Sequence, residues 1–258
     1  MIKGVIEDSD ILCYTKTDMK PDPNSSVTRI AMVSRKGLIK WRLELSPSEV
    51  FQLHLNNGFI FMAKSDNSIL KTTGSITKYD MEGHIISHIV TEHCDDNLEF
   101  IDEHLYQIGT RYSEYVINKV LYKFDMDIQT ISKLELPKGI STAGRPLKDT
   151  QRKLMYFETL EDSILSVELD TMDYRITKKP FDFWLYAVDQ NGLLYGVSGN
   201  STVCIFDSEL KMVSRHPLKG EVRSICETNT GMHVVTTTIA RRFKETPSTV
   251  QVYRIDPV

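Results

Sequence analysis

The sequence lacks an excess of positive charge and any long apolar run. Its 258 residues carry 31 lysines and arginines against 35 aspartates and glutamates, for a net charge of −4. Nucleic-acid binding draws much of its affinity from basic residues, so this balance predicts no nucleic-acid partner. No apolar stretch approaches the roughly 18 residues that a membrane helix needs. The N-terminus turns acidic at Glu7-Asp8, unlike a secretory signal. We therefore expect a cytoplasmic protein that does not bind membranes.

Paired cysteines and the familiar catalytic motifs are also absent. Cys13, Cys94, Cys204 and Cys226 are scattered, and none belongs to the Cys-x-x-Cys pairs of zinc or redox sites. The sequence contains no Gly-x-Ser-x-Gly, no Gly-x-x-x-x-Gly-Lys-Ser/Thr and no His-Glu-x-x-His. We therefore expect no cofactor and no metal. Catalytic residues gathered from distant parts of the chain would leave no such motif, so an enzyme is disfavoured rather than excluded.

What the sequence does contain is a recurring two-strand unit that ends near an aromatic or apolar residue followed by aspartate. The copies end at Asp80, Asp125, Asp170, Asp207 and Asp256. A degenerate first copy, 38–42, has Arg42 in place of the aspartate. The mean spacing from 42 to 256 is about 43 residues, which lies in the range of propeller blades.

Further short apolar strands flank each copy, and turns such as Asn57-Gly58 and Asn191-Gly192 separate them. Four short strands per unit without helical periodicity predict an all-β protein, a six-bladed β-propeller in one domain over residues 1–258. The last blade is expected to lack its outer strand. Residues 2–6 form the innermost strand of blade one or, alternatively, close the last blade. Seven blades would need about 37 residues each, and a two-domain arrangement would need a linker; both are weaker interpretations.

As a repeat pattern, nearly the whole chain resembles the β-propeller superfamily of quinoprotein-like, surface-layer-type and WD-like repeats. Trp41 is not followed by aspartate, and the regular glycine and tryptophan positions of quinoprotein repeats are missing, so no specific family is indicated. The resemblance implies that the loops lie on two faces. The face around the mouth of the central channel, which carries the longer loops, is the expected place for function.

A basic loop on that face is the first candidate site. Arg241, Arg242 and Lys244 surround Phe243, and other loops of the same face bring Arg111 and Arg145. Such a group could bind an acidic peptide, a phosphate or a nucleotide. The alternative is a solvated loop whose arginines pair with nearby carboxylates, at under about 1 kcal/mol per pair.

An aromatic segment is the second candidate. Residues 181–186 contain four aromatics, and strand alternation places Phe181, Phe183 and Leu185 on one side and Trp184 and Tyr186 on the other. Phe181 and Trp184 are predicted partner contacts, although packing between blades also explains aromatic residues here.

The third candidate is a histidine-rich segment, His84, His88 and His93-Cys94-Asp95-Asp96. His84 and His88 would lie about 13 Å apart along a strand, too far to share one ion. The group 93–96 is expected in a loop over 91–97, where a polar turn is favoured over a metal site.

These observations favour a monomeric, non-enzymatic binding module that presents one loop-rich face to a protein or peptide. The candidate contacts are Trp184, Phe181, Arg241, Arg242, Lys244, Arg145 and Arg111. The alternative is an enzyme or small-ligand binder of hydrolase or lyase type, with its site at the channel mouth. Both rest partly on analogy of fold.

Overall fold

The structure, a computed structural model, describes residues 2–7, 10–17, 27–34, 36–45, 49–66, 73–113, 116–137, 142–238 and 249–255. All regular structure in these ranges is β, as the short apolar runs predict. The chain divides into two compact units, Met1–Gly139 and Ile140–Val258. None of the described residues forms a helix long and apolar enough to cross a membrane.

The described residues of the first unit form two antiparallel sheets. Strands β1 to β4 form the first, and strands β5 to β11 form a seven-stranded second sheet, both in chain order. The strands are β1 (Ile2–Glu7), β2 (Asp10–Thr17), β3 (Val27–Ser34), β4 (Ile39–Leu45), β5 (Glu49–Asn56), β6 (Phe59–Asp66), β7 (Thr73–Tyr79), β8 (Ile85–Ile101), β9 (His104–Ser113), β10 (Val116–Phe124) and β11 (Thr130–Glu135). β1 pairs with β2, the first of the two arrangements expected for residues 2–6.

In the part of the second unit that the structure describes there are three antiparallel sheets, β12 to β15, β16 to β19 and β20 to β22, again in chain order. The strands are β12 (Thr142–Asp149), β13 (Leu154–Thr159), β14 (Ser163–Glu168), β15 (Tyr174–Lys178), β16 (Trp184–Val188), β17 (Leu194–Ser198), β18 (Thr202–Phe206), β19 (Met212–Pro217), β20 (Glu221–Thr228), β21 (Gly231–Thr238) and β22 (Thr249–Ile255). The last sheet has three strands among the described residues.

The seven-stranded sheet corrects the predicted loop over 91–97. Strand β8 runs without interruption through this segment, pairing with β7 up to Glu92 and with β9 from His93 onward. The pairing with β9 shifts register between Cys94 and Leu98. A bulge of this kind bends a strand without ending it, so one strand serves both halves of the sheet.

The repeat aspartates owe their position to a tight turn. At Asp207 the backbone N–H donates to the carbonyl of Lys211 at 3.0 Å, and the N–H of Leu210 donates back to the carbonyl of Asp207 at 3.0 Å. The carboxylate Oδ1 accepts the N–H groups of Glu209 and Lys211, both at 2.9 Å. Asp80 and Asp125 bind their turns in the same way. Aspartate suits this turn because its short side chain reaches the N–H groups ahead of it.

The same turn shows that the expected first copy at 38–42 was wrong. Ser34, at the end of β3, makes the equivalent backbone bonds, and its Oγ accepts the N–H of Leu38 at 3.1 Å. Residues 39–42 therefore belong to the fourth strand of the first sheet, and Arg42 does not replace an aspartate. The sequence pattern does not show this copy of the repeat, because serine stands where the other copies have aspartate. Asp170 differs as well, since in its turn the carbonyl of Glu168 accepts the N–H of Met172.

This difference allows a matched test of the turn. Asp207→Ala removes the acceptor of two N–H groups and is expected to lower the free energy of unfolding by about 1–2 kcal/mol. Asp170→Ala removes only an exposed ion pair with Lys153 and should cost under about 1 kcal/mol. Urea denaturation of both variants measures the difference. If both variants lose the same free energy of unfolding, the hydrogen bonds that the Asp207 carboxylate accepts do not stabilise its turn.

The central strands are buried on both faces, which is why they read as short continuous apolar runs. In β6, Phe61 and Ala63 pack in one cluster, whereas Ile60 and Met62 pack in another on the opposite face. The strands β17 and β18 are shared in the same way between the clusters on either side of their sheet. Within each unit, neighbouring sheets therefore stack face to face, as blades do.

Candidate functional site

The aromatic segment follows β15 and extends into β16, and two of its side chains are open to solvent. Trp184 is 52% exposed and Phe181 38% exposed, whereas Phe183 between them is fully buried. The Phe183 ring stacks on Phe206 at a centroid distance of 4.4 Å, and the Phe181 ring lies 5.6 Å from that of Phe183. Phe181 and Phe183 thus share a side, as strand alternation predicts. Packing accounts for Phe183 but leaves much of Trp184 uncovered.

A buried ion pair lies under this segment. The Lys179 ammonium donates to the Glu158 carboxylate, and the two side chains are only 4% and 7% exposed. The same ammonium donates to the carbonyl oxygen of Phe183 at 2.7 Å. It also lies 5.2 Å from the ring centroids of both Phe183 and Trp184, within the range of a cation–π contact. One lysine therefore holds the backbone immediately before Trp184 and contacts its ring.

The ion pair stands at positions that are apolar in the next sheet. By strand register, Val197 corresponds to Glu158, and Leu218 corresponds to Lys179. In both sheets the N–H of the lysine or leucine donates to a carbonyl of the hairpin turn, at 2.9 and 2.8 Å respectively. Val197 and Leu218 pack in a hydrophobic cluster. The sheet β16 to β19 thus has an apolar pair at these positions, whereas the sheet β12 to β15 has a charged pair beneath the aromatic segment.

The electrostatic state of Glu158 reflects two opposing effects. Burial raises the pKa of its carboxyl group above the ordinary value of 4.5. The hydrogen bond and positive charge of Lys179 lower the pKa, whereas the negative charge of Asp182 raises it. Because burial is the largest of these effects, the folded state holds this proton more tightly than the unfolded state does.

This direction predicts a pH dependence of stability. The carboxyl group of Glu158 has a higher pKa in the folded protein than in the unfolded chain, so its protonated form favours folding. This contribution to the free energy of unfolding is fully present below pH 4.5 and is lost as the pH rises through the raised pKa. Glu158→Gln has no proton to lose at this position. We therefore expect the free energy of unfolding of the wild type, minus that of Glu158→Gln, to decrease over this interval in urea titrations at stepped pH. A difference that grows with pH would contradict the prediction.

Another exposed apolar side chain lies in a turn that is hydrogen-bonded to the residue Lys179, just before the aromatic segment. Leu160 is 64% exposed in the turn between β13 and β14, and the N–H of Lys179 ties the aromatic segment to this turn through the carbonyl of Asp162 at 2.9 Å. We call Leu160, Phe181 and Trp184 the apolar edge. Asp162 and Asp182 are exposed beside it. The surface therefore combines apolar side chains with negative charge.

The other predicted contacts stay predictions. Arg241, Arg242 and Lys244 lie outside the described residues. Arg111 and Arg145 lie on β9 and β12, but their side chains are outside what the structure describes. Of the residues predicted as contacts, the structure thus describes Phe181 and Trp184 in full. Sequence reasoning missed Lys179, Glu158 and Leu160, although aligning the repeats would have shown charges at two apolar positions.

The histidines of the third candidate have separate partners. His84 Nδ1 bonds to Asp80 Oδ2, and His88 Nδ1 bonds to Thr77 Oγ1, each at 2.9 Å. Within the described ranges, no three histidine, cysteine, aspartate or glutamate side chains come together as a metal site would require. Residues 93–96 lie on β8, and their side chains are not among those that the structure describes.

No protein-family profile and no curated protein sequence matches the chain. Solved structures do. Hsv2 of Kluyveromyces lactis superposes with a TM-score of 0.62 at 12% identity, covering 98% of this chain and 84% of that one. The same protein with loop 6CD replaced by a Gly-Ser linker gives 0.61 at 13% identity, covering 98% and 83%. A protein of unknown function from Bacteroides caccae gives 0.54 at 11% identity, covering 92% and 85%.

The likeness concerns the fold, because identities this low say nothing more specific. Hsv2 is a β-propeller protein, and the likeness extends over almost the whole chain. The chain therefore has the fold of a β-propeller, and no specific family is identified.

Proposed function

We propose that the protein is a non-enzymatic binding module that presents the apolar edge to a protein or peptide partner. The observation that carries this proposal is Trp184, whose ring is half exposed while the backbone before it is fixed by Lys179. Rigid, exposed aromatic side chains are typical of residues that dominate interface energies. A fixed backbone also reduces the conformational entropy lost on binding.

The supporting architecture is a single six-bladed propeller. Six groups of strands support this count: the sheet β1 to β4, the two halves of the seven-stranded sheet that share β8, and the three sheets of the second unit. A superposition that covers 98% of the chain with one propeller structure supports a single domain. In this proposal the protein acts as a cytoplasmic monomer without a cofactor and binds neither nucleic acid nor membrane.

The charge around the apolar edge indicates which partners fit it. Asp162 and Asp182 flank the exposed side chains, and ionised carboxylates attract basic groups. A peptide that combines apolar residues with lysine or arginine would match this surface. Arg111, Arg145, Arg241, Arg242 and Lys244 remain proposed contacts for an acidic part of the partner.

Variant-dependent capture tests the proposal. Trp184→Ala and Phe181→Ala remove the exposed rings, and each is expected to weaken partner binding by about 2 kcal/mol, because truncated hot-spot aromatics cost that much. Met212→Ala is the matched control, since Met212 is also 52% exposed but lies at the start of β19. Wild type and Met212→Ala should capture the same proteins from native lysate, and titration with a captured partner then gives the affinities. Identical capture by all four proteins would reject the apolar edge as the binding surface.

A further inference from the structure

A groove on the second unit lies away from the apolar edge and has its own chemistry. It has a volume of about 300 Å³ and lies between the sheet β12 to β15 and the turn that follows β18, at Ser208. A volume of this size suits a small molecule. Most of its lining comes from β13, β14 and β15.

The floor of the groove contains a buried hydroxyl group whose hydrogen bonding is incomplete. Tyr156 lines the groove, is 2% exposed, and has no hydrogen-bond partner for its hydroxyl among the described residues. Buried polar groups are nearly always paired, so such a hydroxyl requires an explanation. Burial and the nearby charge of Asp149 raise the pKa of Tyr156 to about 12. The hydroxyl therefore stays protonated at neutral pH and is available as a donor.

Strand register arranges the polar lining in two parallel rows. Tyr156, Ser166 and Arg175 face one another across β13, β14 and β15, which makes a row of two hydroxyls and a guanidinium. Two residues further along, Glu168 and Asp173 supply a pair of carboxylates, joined through the N–H of Glu168 and the carbonyl of Asp173. Two residues along a strand correspond to roughly 6.6 Å. The groove thus has a positive row and a negative row at that separation.

We propose that this groove binds a small zwitterion, whose carboxylate is held by Arg175 and Tyr156 and whose ammonium is held by Glu168 and Asp173. Guanidinium and hydroxyl donors suit a carboxylate, and carboxylates suit an ammonium. The ligand is an amino carboxylate whose charges are separated by a chain of several carbons. The groove and its polar rows are independent of the partner surface proposed above.

The probe is 6-aminohexanoate, with hexanoate and hexylamine as half-ligands that each carry one charge. Isothermal titration calorimetry of the full chain should show saturable binding of 6-aminohexanoate and much weaker binding of either half-ligand. Hexanoate binding as tightly as 6-aminohexanoate would mean that the groove takes an anion. No saturable binding of 6-aminohexanoate would also overturn the proposal.

Variants assign the binding to the groove. Arg175→Gln and Glu168→Gln each remove a charged hydrogen-bonding group, so each should weaken binding about tenfold or more. Tyr156→Phe should weaken it about two- to tenfold, while the thermal unfolding temperature stays unchanged or rises because an unpaired buried hydroxyl is removed. Arg223→Gln, on β20 and similarly exposed, is the matched control and should bind as the wild type does. Unchanged binding by Arg175→Gln and Tyr156→Phe would overturn the proposal even if the probe binds elsewhere.

Discussion

Replacing Lys179 with leucine should lower the free energy of unfolding by about 3–5 kcal/mol, because a buried carboxylate then has no counter-charge. Glu158→Val should cost a similar amount, since it leaves the Lys179 ammonium 4% exposed and bonded only to the carbonyl of Phe183. Both losses arise from one buried charge deprived of its partner. Urea denaturation at neutral pH measures them.

The double variant Glu158→Val/Lys179→Leu should recover most of that loss. It copies the apolar pair Val197 and Leu218, which the neighbouring sheet already packs at the corresponding positions. Buried ion pairs replaced by apolar residues of similar size often leave stability unchanged or increase it by about 1–4 kcal/mol. Lys153→Leu, which breaks an exposed pair with Asp170, is the control and should cost under about 1 kcal/mol.

The outcome separates two roles of the ion pair. If the double variant is as stable as the wild type but binds the partner of the apolar edge less well, Lys179 serves to position Trp184 rather than to stabilise the fold. If the free energy of unfolding of the double variant falls by the sum of the two single losses, the single losses do not come from an unpaired buried charge. Additive losses would mean that the two charges do not depend on each other, despite their contact.

Strands and turns could be predicted here because they depend on neighbouring residues. Alternating and continuous apolar runs, punctuated by aspartate and glycine, mark most of the twenty-two strands found among the described residues. The first copy was misplaced because Ser34 forms the turn that aspartate forms elsewhere. The continuity of β8 could not be read from the polar segment 92–97, since it depends on pairing with β7 on one side and β9 on the other.

The site was predictable only in part for a related reason. Phe181 stands out as an aromatic residue just before a strand and Trp184 as one at its start, and both are exposed in the structure. The burial of Lys179 and Glu158 depends on residues 21 positions apart meeting across a sheet. Nothing local distinguishes Lys179 from Lys178 before it, which is exposed. Whether a charged residue is buried and paired here depends on contacts between residues distant in the sequence, which local sequence patterns do not show.

Replacing Phe183 with alanine should also lower the free energy of unfolding by about 3–5 kcal/mol, through the cavity that the ring leaves. Phe183 is fully buried and stacked on Phe206. Its ring also occupies the space beside Gly196, where an added Cβ would lie only 2.5 Å from the Cδ2 atom of Phe183. Glycine in β17 is therefore the residue that makes room for the ring.

This contact predicts that the two positions are coupled. Gly196→Ala alone should cost about 1–3 kcal/mol, because the methyl group overlaps a ring that packing prevents from moving. In the Phe183→Ala background the same change should cost little, since the space is empty. A double-mutant cycle by urea denaturation gives the coupling energy, and additive costs would show that the ring does not determine the residue at 196. Because the Phe183 ring also lies 5.2 Å from the Lys179 ammonium, removing the ring should loosen Lys179 and Trp184 and weaken partner binding as well.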